Sequence, residues 1–169
     1  MPPTTDISDA YMPRNHARRL GLAAFAVSLA IAQSLAQSKD PLIGAWQINR
    51  AKSEFMPDNT LQNRTITIEA KGNGISAVQQ TVVEAGNTVT SEYSAAYDGK
   101  DSPISGSLLD TVALKRVNAN TIERTGKIRG QTVETATMTV SANGKVLTIT
   151  TKGSVDGNDY SSTQVFDRQ

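Results

Sequence analysis

From residue 44 to the C-terminus the chain is cut by turn signals into short β-rich runs. The signals are KGNG (71–74), AGN (85–87), DGKD (98–101), NAN (118–120), RG (129–130), ANGK (142–145) and DGND (156–159). Asn-Gly and Asp-Gly supply the positive φ that tight hairpins require, so the runs on either side of each are antiparallel neighbours. The runs read as nine strands: 44–49, 61–70, 75–85, 88–97, 110–117, 121–129, 131–140, 145–152 and 160–168. Only AKSEFMPDN (51–59) has room for a helical turn, which Pro57 ends, and no long helical period appears. The topology is therefore a meander and the class all-β. A regular meander has edges to protect, and closing on itself protects them together. The expected architecture is an antiparallel up-and-down β-barrel of about eight to ten strands, with a two-sheet sandwich as the alternative.

The first 36 residues are of another kind. Arg18 and Arg19 precede LGLAAFAVSLAIA (20–32), an apolar run too short to span a bilayer and of the length of a signal-peptide core. Ser34 and Ala36 then stand at the positions that favour cleavage before Gln37, and Ala30 and Ala32 offer a second site before Gln33. The reading is a signal peptide at 1–36 and one barrel domain at 37–169, exported to the periplasm or the medium. The Arg pair admits a twin-arginine route, although a Gly stands where that signal carries a bulky apolar residue.

Charge and cysteine content narrow the partners. Of 17 basic and 16 acidic residues, Arg14, Arg18, Arg19, Asp6 and Asp9 belong to the leader, which leaves 14 of each sign. A neutral domain with interspersed charge has no electrostatic footprint for nucleic acid or an anionic membrane, and no membrane insertion is expected after the leader is removed. With no Cys there is no disulfide framework. Stability must come from a core and a complete hydrogen-bond ladder.

The period of two separates inward from outward positions on each strand. Ile66 and Ile68 share a face. So do Val89, Tyr93, Ala95 and Tyr97, then Val112 and Leu114, Ala136, Met138 and Val140, and Leu147 and Ile149. Polar residues share these rows: Arg64 with Ile66, Arg116 with Leu114, Arg124 with Ile122, and Glu134 with Ala136. The last strand sets Tyr160, Ser162, Gln164, Phe166 and Arg168 in one row. A cavity with wet patches has this pattern. Arg124 and Glu134 flank the turn at Arg129 and Gly130 and are diagonal neighbours across it, within reach of an Arg side chain.

Gly44-Ala45-Trp46 on the first strand resembles the Gly-x-Trp of the lipocalin and fatty-acid-binding-protein group, and STQVFDRQ (162–169) resembles the last strand of the fatty-acid-binding proteins. IGAWQINRAKSEF (43–55), AAYDGKDSPISGS (95–107), DTVALKRVNANTIE (110–123) and GKVLTITTKG (144–153) together resemble a family of exported bacterial proteins with lipocalin-like barrels. The resemblance implies that Trp46 closes one barrel end, next to Gly44 and under a basic side chain from a late strand, for which Arg168 is the match. The fatty-acid-binding branch holds a carboxylate with an Arg-x-Tyr pair on its last strand. Gln164 and Phe166 stand there instead, so that anchor is missing, and Arg124 or Arg116 would have to take its place. The helix pair of that branch has no room in 51–59.

The chemistry excluded is specific. His16, the only histidine, lies in the leader, and without Cys no Ser-His-Asp triad, Cys-His pair or imidazole or thiolate zinc site can be assembled. The turns at 98–101 and 156–159 lack the alternating Asp ligands and closing Glu of a calcium loop. Glu134 is the one inward carboxylate, and one is too few for a glycosidase pair. The expectation is a non-enzyme with no cofactor and no metal. A small hydrophobic or amphipathic molecule would lie against Tyr93, Tyr97, Arg124, Glu134, Met138, Gln164 and Phe166. The alternative is a barrel filled by its own side chains that binds a protein or envelope polymer through hairpin loops such as DGKDSPISG (98–106).

N-terminal sequencing of exported material should find Gln37 or Gln33 first; an intact Met1 or Pro2 would overturn the leader reading.

Overall fold

The computed structural model describes residues 40–57 and 61–169, so the segment read as a signal peptide lies outside the described residues. All nine expected strands are present, joined by two short ones. In chain order they are β1 (Gly44–Ile48), β2 (Glu54–Met56), β3 (Leu61–Lys71), β4 (Gly74–Val83), β5 (Thr88–Ala96), β6 (Ser102–Ser105), β7 (Thr111–Asn118), β8 (Thr121–Ile128), β9 (Gln131–Val140), β10 (Val146–Val155) and β11 (Asn158–Arg168). From β3 to β11 every strand pairs antiparallel with the next, and β1 pairs with both β3 and β11. The sheet is thereby closed into a barrel of ten strands, which excludes the sandwich. Two-residue turns join β3 to β4, β8 to β9 and β10 to β11 at Gly-containing signals, and β7 to β8 at the Asn-Ala-Asn signal, as predicted.

The two short strands correct the expected count. Among the described residues, a 3₁₀ turn at Arg50–Lys52 is followed by β2, which pairs with Ser161 to Thr163 of β11. β1 pairs with the other half of the same β11 edge, so β1 and β2 act as one interrupted partner strand. β6 bridges β5 and β7 with two residue pairs on each side and contains Pro103, a residue that weakens any strand signal.

The inward rows are filled unevenly along the barrel. At one end Leu42, Trp46, Ile68, Ile75, Leu114, Ile122, Leu147 and Phe166 pack into a core with almost no solvent exposure. Along β11 this core ends near Gln164, and the remaining inward positions toward Asn158 face a cavity. Val89 shares the inward row of β5 but is half exposed.

The packed end is held by a clasp. The guanidinium of Arg168 lies 4.1 Å from the ring centroid of Trp46. It donates to the carbonyls of Gly144, Ile43 and Pro41 at 2.5, 2.7 and 2.5 Å. The Trp46 indole N–H donates to the Leu42 carbonyl at 2.9 Å. Gly44 is required by close approach, because a Cβ built there would lie 2.3 Å from Nη1 of Arg168 and the backbone φ is 147°. The spacing of Gly44 and Trp46 thus has one cause, an arginine wedged against both.

Trp46→Ala removes the ring under that arginine from a fully buried position and should destabilise the barrel by about 3–5 kcal/mol. Equilibrium denaturation is the measurement, and a loss under about 1 kcal/mol would show that Trp46 does not close the barrel end.

Candidate functional site

Away from the Trp46 end, the barrel opens into a cavity of about 610 Å³. Its floor is polar, with Arg64 from β3, Arg124 from β8, Glu134 from β9 and Gln164 from β11. Its walls and rim mix apolar side chains, among them Phe55 and Met56 of β2, Ile104 of β6, Leu108 and Leu109 of the β6–β7 loop and Ile149 of β10, with polar ones such as Gln79, Ser91, Thr151, Asp159 and Ser162. Met56 and Leu108 are 72% and 86% exposed, so the rim presents apolar side chains to solvent beside the polar Asn158 and Asp159.

The pairing of Arg124 with Glu134 follows from the hairpin. Arg129 and Gly130 both have positive φ, 51° and 76°, and form the two-residue turn between β8 and β9. A bulge between Gly126 and Lys127 sets Gly126 opposite Glu134 and Arg124 opposite Ala136. The two charges are therefore diagonal, and Nη2 of Arg124 donates to Oε1 of Glu134. Their side chains are 18% and 12% exposed. The other oxygen of Glu134 accepts from the Tyr160 hydroxyl at 2.9 Å. Tyr160 can lie across the sheet because residue 153, directly opposite it, is Gly; a Cβ there would meet the ring at 2.4 Å. Arg124 also hydrogen-bonds to Tyr93, while its Nε is buried without a partner.

Arg64 is held differently. Its Nε donates to Oγ1 of Thr81 at 2.9 Å and its Nη1 to Oε1 of Gln164 at 2.6 Å. The Gln164 amide in turn donates to Ser162 at 3.1 Å. Burial, and then the neighbouring charge of Arg124, pull Arg64 down to about 10, with Glu134 acting in the opposite sense. Burial is also the main cause that raises Tyr93 and Tyr160 above the usual phenol range, and Glu134 adds to it at both.

The residues expected to meet a ligand separate into three places. Arg124, Glu134 and Gln164 line the cavity, with Tyr93 beneath Arg124. Met138 and Phe166 share the inward parity but sit deeper, 2% and 0% exposed in the packed core, so they support the floor without lining the cavity. Tyr97 is at the packed end, where its hydroxyl donates to Asp40 and its ring lies under the guanidinium of Arg116, 3.9 Å from the centroid. Arg116 is itself paired with Asp40. Burial, followed by the hydrogen bond to Asp40, raises Tyr97 well above the phenol range. Both arginines considered as substitutes for the missing anchor thus already face carboxylates.

The site residue the sequence signalled most clearly and that site reasoning passed over is Arg64. Its parity with Ile66 and Ile68 placed it inside the barrel, but nothing local showed that its partners on β4 and β11 would both be neutral. Phe55 and Met56 belong to β2, which forms on the part of the β11 edge that β1 leaves unpaired, a long-range pairing with no local signal. Among the described residues no group of three His, Cys, Asp or Glu side chains could hold a metal ion.

No family model matches the chain, and no curated protein does. Solved structures that are similar in fold include the zebrafish ileal bile acid-binding protein complexed with cholic acid, 12% identical over 76% of this chain and 99% of its own, with a TM-score of 0.48. The siderocalin Ex-FABP is 10% identical over 76% of this chain and 74% of its own, with a TM-score of 0.38.

Glu134→Ala leaves the Arg124 guanidinium buried without its carboxylate and should lower stability by about 3–5 kcal/mol, against at most about 1 for an exposed pair. Arg124→Met combined with Glu134→Leu should recover most of that loss, because a hydrophobic pair of similar volume carries no desolvation penalty. Denaturant titration of both variants checks this, and a loss below about 0.5 kcal/mol in the single variant would place the pair at the solvent face.

Proposed function

We propose that this protein is an exported carrier whose barrel interior binds a small, largely apolar molecule. The observation that supports this most is the unfilled half of the barrel. A cavity of about 610 Å³ falls within the roughly 300–1,000 Å³ typical of small-molecule sites, which are mostly apolar with a few placed polar groups. The walls supply apolar surface from Ile104, Leu109 and Ile149, and the floor supplies the polar groups. A chain selected only to fill a barrel would place apolar residues at 64, 124, 134 and 164, since buried charges cost more than they return in stability. A packed interior would have moved the binding surface to the hairpin loops; the open half favours the carrier. The Tyr160 hydroxyl faces Glu134, but that carboxylate is already paired with Arg124, an arrangement that suits binding better than turnover.

Native mass spectrometry of the protein purified from its own source should show a co-purifying small molecule. Ser91→Trp, which places an indole into the cavity from β5, should lose that mass while keeping the far-ultraviolet spectrum of the barrel. An empty wild-type protein that also fails to bind uncharged apolar dyes would overturn the carrier reading.

A further inference from the structure

The wall of the barrel contains a seam between β2 and β3. β1 pairs with β3 as far as Gln47 and Thr65, and with β11 as far as Ile48 and Phe166. Beyond these pairs β2 continues on the β11 side alone: Glu54, Phe55 and Met56 stand opposite Thr163, Ser162 and Ser161, and among the described residues β2 has no ladder pair with β3. Side chains close the seam toward the packed end. The Gln47 amide donates to the Arg64 carbonyl at 3.1 Å and to Oδ1 of Asn63. Behind it the hydrogen bond from Arg64 to Gln164 crosses from β3 to β11. Past Arg64 the seam leads into the cavity, which Phe55, Met56 and Pro57 line from one side and Arg64 from the other. The attachment of β2 is light. Three residue pairs hold it to β11, and before them a side chain stands in for the backbone ladder: the Ser53 hydroxyl accepts from the Val165 N–H at 3.0 Å and donates to the Asn49 carbonyl at 2.8 Å. A short strand laddered along one edge opens more easily than strands laddered along both.

We infer that β2 is a hinged flap and that the seam between β2 and β3 is where the cavity opens to admit and release its ligand. The hinge is the 3₁₀ turn at Arg50–Lys52, beyond which Ser53 to Met56 peel from β11 together. Opening breaks the short ladder and the two Ser53 hydrogen bonds and withdraws Phe55, which lines the cavity and packs against the core, from the wall. Closing returns Phe55 as the latch, with the Arg50 guanidinium over its ring at 5.0 Å from the centroid. The other apolar border of the mouth, the β6–β7 loop, is tied down. Lys127 donates to Asp101 at 2.8 Å and the Arg129 N–H to Asp110 at 2.5 Å, one at each end of the segment. Between them Gly106 is pressed so close to Thr90 that a Cβ would lie 1.8 Å from its carbonyl oxygen, and Leu109 fills the notch left by Gly126. Of the two borders, β2 is the one free to move.

This inference rests on the carrier reading, and exchange kinetics separate the two. The chain has no Cys, so a pair introduced into it closes on itself. Directly opposite residues of antiparallel strands are within disulfide reach. Glu54→Cys with Thr163→Cys pins β2 to β11, and Glu92→Cys with Ser105→Cys pins β6 to β5. None of these four residues lines the cavity. In stopped-flow fluorescence with the uncharged dye phenylnaphthylamine, the β2 disulfide should slow association and dissociation alike by about 10-fold or more and leave Kd unchanged, because the closed flap is the bound state. Reduction should restore both rates. The β6 disulfide should leave them within about twofold of the wild type. Ser53→Ala, which loosens the flap from outside the cavity and needs no disulfide, should speed both rates about fivefold, the factor that one hydrogen bond implies. It decides the question if the β2 pair does not close. Unchanged rates in the β2-pinned protein or in Ser53→Ala, or slowing by the β6 disulfide in place of the β2 one, would overturn the flap and leave the carrier reading standing. A wild-type protein that does not bind the dye would overturn both.

Discussion

Everything in this barrel depends on the closure of β1 onto β11, and that closure is secured by one arginine. Arg168 sits at the end of the last strand, covers Trp46 and takes three carbonyls, two of them from the segment that leads into β1. A guanidinium with five donors in a fixed plane can serve a ring face and several carbonyls at once, which a lysine cannot. The clasp ties the first residues of the domain to the last. It also seals the end with Leu42 and Trp46, both fully buried. In the ten-strand ring β1 and β11 lie at opposite ends of the chain, so no hairpin holds them together and they need this extra fixing.

A sealed, packed end changes what the other end can be. The core from Trp46 to Phe166 satisfies the hydrophobic requirement of a domain without disulfides, which leaves the inward positions beyond it free of that duty. Those positions carry Arg64, Arg124, Glu134, Gln164 and Tyr160 in place of aliphatic residues. The same strands therefore run from apolar to polar along their inward rows: Phe166, Gln164, Ser162, Tyr160 on β11 and Val140, Met138, Ala136, Glu134 on β9. The packed core resides in one half and the cavity in the other. That division explains why residues of identical parity, such as Met138 and Glu134, belong to different parts of the molecule.

The electrostatics of the open half follow from which charges are neighbours along the chain. Arg124 and Glu134 are brought together by a two-residue turn, and a short loop in sequence makes their pairing a local event. Arg64 has no such local partner. Its contacts reach Thr81 on the next strand and Gln164, one hundred residues away. The ion pair of Arg124 and Glu134 is formed locally, whereas the setting of Arg64 is assembled from distant strands.

By itself the sequence determined the all-β meander, its hairpins and the parity of each strand, because these rest on turn residues and on a period of two that act over a few positions. It also pointed to the diagonal pair at Arg124 and Glu134, since hairpin register is local. Tertiary structure alone decided what depends on distant strands meeting. β2 is three residues long and lies where β1 leaves part of the β11 edge unpaired, so no local pattern could reveal it after the helical turn expected in 51–59, which is present as the 3₁₀ turn at Arg50–Lys52. Parity says which side a residue faces but not how deep it lies, which is why Met138 and Phe166 were grouped with the cavity and proved to be core, and why Tyr97 proved to serve the sealed end. Depth is set by the tilt of strands around a closed barrel, a property of the whole ring. The charge left on Arg64 is of the same kind: it depends on which side chains the ring sets beside it, and none of those is its neighbour in sequence.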